Sequence, residues 1–291
     1  MPLIATLQQF ATERIATPQG AVQFRRARSP GYSGAVAHVL LHGIGSASAS
    51  WLAQLMRVAG SSTPPRHILA WDAPGYGGSD ALPMEAPAAS DYAARFWAWI
   101  DAMGPEVDAP FTLVGHSLGA LMAASAAAQR PQRITRLVLL APALGYGNAS
   151  AELRDQKLND RLASLAQLGP AGMAKKRAAA MLSPGAAADQ VAFVEHVMAG
   201  IHPHGYTQAT RMLAGGDVLA DLKRNQCPLT IASGSADTIT PPDACQGLAQ
   251  KVGVPYISLG PVGHHCALEA AVEVNKLIGI DSADKLQPEV A

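Results

Sequence analysis

What most constrains this chain is a set of short, almost wholly apolar runs, at 35–41, 67–71, 111–114, 136–140, 228–232 and 256–259. Each is rich in Val, Leu or Ile and is followed within two residues by Gly, Pro, Asp or Ser. A strand with one wet face alternates apolar and polar residues. A continuous run instead marks a strand covered on both faces, as in a parallel sheet flanked by helices. Between the runs the spacing turns helical: Tyr92, Phe96, Trp99 and Met103 fall three or four apart, with Ser90 or Asp91 as N-cap. Strand and helix in alternation predict an α/β fold with a mostly parallel, doubly wound sheet. Residues 21–26, after a Pro-Gln-Gly turn, predict an antiparallel edge strand.

The rhythm breaks between 144 and 216. Gly145 and Gly147 lead out of the strand pattern, and Gly215-Gly216 leads back. The stretch between them is strand-poor, with Leu153, Leu158, Leu162, Leu165 and Leu168 at helical spacing. This predicts a core of residues 1–143 and 217–291 and a helical cap of 144–216 above the carboxyl ends of the strands. Ligands bind at that edge of open α/β sheets, so a cap there bounds a pocket. A further helical layer with no lid role is the alternative.

Composition excludes several classes. Lys plus Arg (22) equals Asp plus Glu (22), so no general attraction to nucleic acid or an anionic membrane is expected. Cys227, Cys245 and Cys266 are too few for a disulfide framework, which points to a reducing compartment. The opening MPLIATLQQFATER lacks a signal-peptide pattern, and no run nears the roughly 20 apolar residues that span a bilayer. A cytoplasmic, soluble molecule acting on a small-molecule substrate is expected; its oligomeric state is not legible.

Chemistry enters at Gly115-His116-Ser117-Leu118-Gly119, a G-x-S-x-G with an apolar strand before it and an alanine-rich helix after it. That strand–turn–helix setting is the one a nucleophile elbow requires. A serine hydroxyl needs a base. His264, in Gly263-His264-His265 after the last strand, is preferred over His265; His38 and His67 sit at strand starts. The base in turn needs an acid to fix its tautomer. Asp237 follows the strand at 228–232, whereas Asp243, Asp217 and Asp221 are weaker candidates. Oxyanion donors are expected from the backbone N–H of Leu118 and of Ile44, the latter on the turn after residues 39–43. His202 and His204 form a bare H-x-H without further ligands, so no metal is assigned. No phosphate-cradling loop is visible, and no cofactor is expected.

Five blocks, LLHGIGSASASW (40–51), WDAPGYGGSD (71–80), LVGHSLG (113–119), GSADTITPP (234–242) and GHHCALE (263–269), give the chain a close resemblance to the α/β-hydrolase superfamily. The resemblance implies an eight-stranded, mostly parallel sheet with helices on both faces and a helical cap between strands six and seven. By motif it makes Ser117 the nucleophile, Asp237 the acid, His264 the base, and Ile44 and Leu118 the oxyanion donors. Serine excludes the aspartate chemistry of haloalkane dehalogenases and epoxide hydrolases. Hydrolases of aromatic meta-cleavage products usually show H-G-x-G-P-G and a tryptophan after the catalytic histidine; here Ser46-Ala47 and His265 stand instead. Small carboxylesterases and enol-lactonases are closer. The leading expectation is therefore hydrolysis of a small ester or lactone through an acyl-enzyme. Carbon–carbon hydrolysis and a non-catalytic ligand-binding role are the alternatives. Trp51, Tyr146 and Arg211 are candidate pocket residues, Arg211 toward a substrate carboxylate unless Asp217 or Asp221 pairs with it. Met173, Met181, Met198, Met212, Phe193 and Tyr206 either line an apolar pocket or pack the cap.

Overall fold

The computed structural model describes residues 2–281. In chain order the strands are β1 (Thr12–Ile15), β2 (Val22–Arg28), β3 (His38–Leu41), β4 (His67–Trp71), β5 (Phe111–His116), β6 (Ile134–Leu140), β7 (Leu229–Ser233) and β8 (Tyr256–Ser258). The helices are α1 (Leu3–Leu7), α2 (Leu52–Ala59), α3 (Ala89–Ala102), α4 (Leu118–Gln129), α5 (Ala151–Arg177), α6 (Ala188–Ala199), α7 (Pro203–Gly215), α8 (Val218–Leu222), α9 (Pro242–Val252), α10 (Cys266–Glu269) and α11 (Ala271–Ile278). The strands form one sheet in the order β1-β2-β4-β3-β5-β6-β7-β8. From β3 to β8 every pairing is parallel, and β1 and β2 close one edge antiparallel.

The continuous apolar runs have the cause inferred for them. Alternate residues of each central strand feed two separate hydrophobic layers. Val39, Leu69, Leu113, Leu137 and Ile231 face α3, α4, α8 and α9. Leu40, Ile68, Val114, Val138 and Ala232 face α2, α10 and α11. With apolar contacts on both faces, neither set of positions tolerates a polar side chain. Helix α4 is buried from Leu118 to Ala127 and correspondingly apolar all round. Tyr92, Phe96 and Trp99 of α3 are completely buried, as their spacing predicts.

Two local expectations need correction. The strand expected at 21–26 is antiparallel as β2, but the outermost strand is β1, whose sequence TERI is almost wholly exposed; an edge strand without an apolar face leaves no pattern to read. Ser90 and Asp91 do not precede α3 but lie in its first turn, where Asp91 accepts the Ala88 N–H at 2.7 Å. A carboxylate there satisfies an orphan donor and complements the helix dipole.

Helices α5, α6 and α7 all fall between β6 and β7. Ser150 caps α5 by accepting the Leu153 N–H, and the helix bends at Gly169 (φ 61°), with Pro170 following. The segment leaves and re-enters the sheet through paired backbones: Gly147 N–H donates to Gly216 O at 2.8 Å and Val218 N–H to Leu144 O at 3.1 Å. Gly145 has φ +80°, and a Cβ there would overlap the Gly216 carbonyl. The glycines at both ends of the break in rhythm thus make this close crossing.

Candidate active site

Ser117 stands between β5 and α4 with φ 53° and ψ −117°, a conformation that costs a non-glycine residue about 1–3 kcal/mol. The surrounding backbone imposes it. Ser117 N–H donates to Leu140 O at 2.9 Å, and Ser117 O accepts from Ala143 N–H at 3.1 Å, tying the turn to the end of β6. A Cβ on Gly119 would overlap the Leu41 and His42 carbonyls, and one on Gly115 would meet the Gly119 carbonyl. Both glycines of the motif therefore let α4 pass close to β3 and β5.

His264 and Asp237 meet on neighbouring loops. His264 Nδ1 lies 2.8 Å from Asp237 Oδ2, and both side chains are essentially buried. The carboxylate is fully used: Oδ1 accepts the Ile239 and Thr240 N–H groups at 2.7 and 3.0 Å, and Oδ2 lies 2.8 Å from Thr240 Oγ1. Burial alone would raise the Asp237 pKa, but the bonds from His264 and Thr240 outweigh it and hold the carboxyl below its usual value. An ionised Asp237 accepts the Nδ1–H of His264 and leaves Nε2 as the basic nitrogen.

His116 and His265 pack against His264, His42 stands on the turn after β3, and burial makes each of the three a poor base. His42 Nε2 accepts the Ala73 N–H at 3.0 Å, so Nδ1 carries the proton and donates to Gly43 O at 2.8 Å. His116 Nε2 donates to His264 O at 2.8 Å, and burial holds its pKa well below the ordinary histidine value. His265 is likewise pushed down, to about 3, by burial and by the neighbouring His264. His42 and His116 brace backbone rather than handle protons.

A cavity of about 210 Å³ opens at the carboxyl ends of the strands and collects Ser117, Leu118, Ile44, His264 and Tyr146. Its remaining polar lining is Thr240, Arg161 and Arg177; Met181, Leu213 and Ile239 supply apolar wall. Two expected pocket residues lie elsewhere. Trp51 is buried in the core, its ring edge-on to His116 at 6.4 Å. Arg211 bonds to the backbone and carboxylate of Glu85 rather than to Asp217 or Asp221, because α7 packs beside the 82–85 loop. Of the methionines named above, Met181 lines the cavity, whereas Met173, Met198 and Met212 pack in the core with Phe193 and Tyr206. His202 Nε2 lies 3.0 Å from Gly77 O. Among the described residues no cluster of three or more His, Cys, Asp or Glu could hold a metal ion.

Sequence reasoning missed Thr240, Arg161 and Arg177. Thr240, three residues after Asp237, carries the local signal of a side chain closing a turn on an aspartate. The two arginines carry none, since they sit 16 positions apart on either side of the α5 bend.

A strained serine on a strand–helix turn, with a histidine fixed by an aspartate on the same rim, defines a class that whole-chain comparison identifies. Residues 39–277 match the model of the alpha/beta hydrolase family, and the chain belongs to it. Among curated proteins, a pimeloyl-[acyl-carrier protein] methyl ester esterase from Chromobacterium violaceum is 28% identical over 62% of this chain and 69% of its own. An abhydrolase domain-containing protein of Caenorhabditis elegans, abhd-5.2, is 32% identical over 42% of this chain, and the match spans about a quarter (26%) of that relative. Among solved structures, a thermophilic esterase from Thermogutta terrifontis superposes with a TM-score of 0.77 at 18% identity, covering 92% of this chain and 96% of that one. The enol-lactonase from Burkholderia xenovorans LB400 gives 0.75 at 20% identity, covering 91% and 98%. At these identities the structural likeness establishes the fold. No helix among the described residues is long and apolar enough to cross a membrane.

Proposed function

We propose that this protein is a serine hydrolase that cleaves a small carboxylic ester or lactone through an acyl-enzyme on Ser117. The observation that carries this reading is one cavity holding a strained serine and a histidine whose Nδ1 is bound to a buried carboxylate at 2.8 Å. Ser117 Oγ attacks the ester carbonyl while His264 Nε2 takes its proton. The resulting oxyanion accepts the N–H groups of Leu118 and Ile44, both at the cavity wall. Leu118 opens α4, whose first N–H groups have no acceptor inside the helix. Collapse expels the alcohol, protonated by His264, and water delivered through the same imidazole releases the acid. In a lactone, acid and alcohol leave as one molecule.

Helices α5 to α7 serve as the cap of 144–216 over this cavity, since Arg161, Arg177, Met181 and Leu213 all come from that segment. A cytoplasmic location fits the three free, buried cysteines. The pimeloyl ester esterase among the relatives is consistent with ester chemistry. The test is turnover of p-nitrophenyl butyrate: Ser117→Ala is expected to lose at least three orders of magnitude in kcat with an unchanged circular dichroism spectrum. Activity near that of the native protein in this variant removes Ser117 from the mechanism. Assay of a dienoic diketone beside the ester separates carbon–carbon hydrolysis from the proposed reaction.

A further inference from the structure

The cavity has a feature that ester hydrolysis does not require. Arg161 and Arg177, from the two halves of the bent α5, both line it, and its wall contains no aspartate or glutamate. Every other arginine of the described chain pairs with a carboxylate or donates to a backbone carbonyl. For Arg161 and Arg177 the described residues offer neither, and Arg161 Nη1 is a buried donor with no acceptor. Burial lowers the Arg177 guanidinium pKa from its usual value; Tyr206 opposes that fall, and the like charge of Arg161 adds to it. The two cations are thus near enough to repel one another.

A guanidinium stays protonated at any physiological pH, so half-burying two of them around one cavity without an anion is unfavourable by desolvation and by repulsion. Their planar donor forks match carboxylate and phosphate oxygens. A ligand anion placed between them removes the repulsion and satisfies the orphaned donor. We propose that Arg161 and Arg177 form an anion subsite, so that the preferred substrate is an ester bearing a second, carboxylate or phosphate, group. This deepens the esterase reading and rests on it. The cavity, at about 210 Å³, is below the roughly 300–1,000 Å³ of pockets for drug-sized ligands, which favours a short chain between ester and anion.

The experiment compares kcat/KM for p-nitrophenyl hemisuccinate and for the uncharged p-nitrophenyl butyrate, in the native protein and in Arg161→Gln/Arg177→Gln. The native ratio of anionic to neutral ester is expected to exceed tenfold and to fall to near one in the double variant; a ratio cancels any general loss of folded protein. Calorimetric titration of the native protein with succinate and, separately, inorganic phosphate reads the subsite without turnover. Binding by succinate alone assigns a carboxylate, and binding by phosphate alone or more tightly assigns a phosphate. A native ratio near one without phosphate binding, a preference that survives in the double variant, or no heat from either anion overturns the inference. Neutral-ester turnover without anionic preference leaves the esterase reading standing. Turnover of neither ester, with anion binding that the double variant loses, removes that reading and keeps the subsite.

Discussion

The Thr240 hydroxyl sits where three parts of the fold meet: 2.8 Å from Asp237 Oδ2, 3.2 Å from His264 Nδ1 and 3.0 Å from Ala141 O. A hydroxyl has one proton to donate, so it bonds either the carboxylate or the carbonyl, and in either case it fixes the loop that carries the acid. Thr240→Val keeps the shape and removes the bond, leaving a buried acceptor underused at about 1–1.5 kcal/mol. The expected result is a roughly tenfold fall in kcat with KM nearly unchanged, restored by Thr240→Ser. A full-rate Val variant, or equal loss in the Ser variant, rules out a positioning role for the hydroxyl. Asp237→Asn tests the acid itself. Its amide nitrogen would face His264 Nδ1 as a donor and favour the wrong tautomer, so kcat is expected to fall by orders of magnitude while stability changes little. The proposed Ser117, His264 and Asp237 unit was legible because each residue follows a strand-like run at one edge of the sheet. Trp51 misled for a physical reason: an aromatic beside an oxyanion turn fits a pocket wall and a core equally well, and here the core against His116 takes it.

At the scale of elements, the neck of the α5–α7 segment is the point most exposed to a small change. Gly145→Ala puts a methyl into the Gly216 carbonyl at a φ of +80°, two penalties at one position. Overpacking of this kind costs about 1–3 kcal/mol. Thermal unfolding of the variant is expected several degrees lower, with KM raised more than kcat is lowered, because the displaced segment carries Arg161, Arg177, Met181 and Leu213 of the cavity wall. An unaltered melting temperature contradicts the crossing described here. Glycines at 145, 147 and 216 marked this boundary in the sequence because close approach there leaves no room for Cβ, whereas a Cβ on Gly215 would meet nothing. The bend at Gly169 left less trace, and with it the convergence of Arg161 and Arg177 was hidden. Residues brought together by a kink share no helical face in the linear pattern.

For the molecule as a whole, buried histidines tie stability to pH. Burial lowers His38 to about 4, the bond to Ile278 O opposing it only in part, and burial with the nearby Arg28 cation lowers His67 to about 4. Both take up a proton on unfolding at any pH between about 4 and 6.5. Their contribution is therefore complete above pH 6.5 and is lost on acidification through that window, by about 3 kcal/mol for His38 alone. Denaturant titrations at pH 7, 5.5 and 4.5 should show unfolding free energy falling with pH, with a shallower fall in His38→Gln; the same slope in both proteins contradicts this account. The sheet and its two layers were readable because burial on both faces writes itself as uninterrupted apolar runs, whereas the polar edge strand β1 had no such mark. The central claim is that Ser117, His264 and Asp237 work as one nucleophilic unit. Mass spectrometry after treatment with a fluorophosphonate tests it most directly. The prediction is a single adduct on Ser117, formed with loss of all esterase activity and abolished in His264→Gln. A folded protein that hydrolyses the ester yet stays unlabelled at Ser117, or labels as fast without His264, contradicts it.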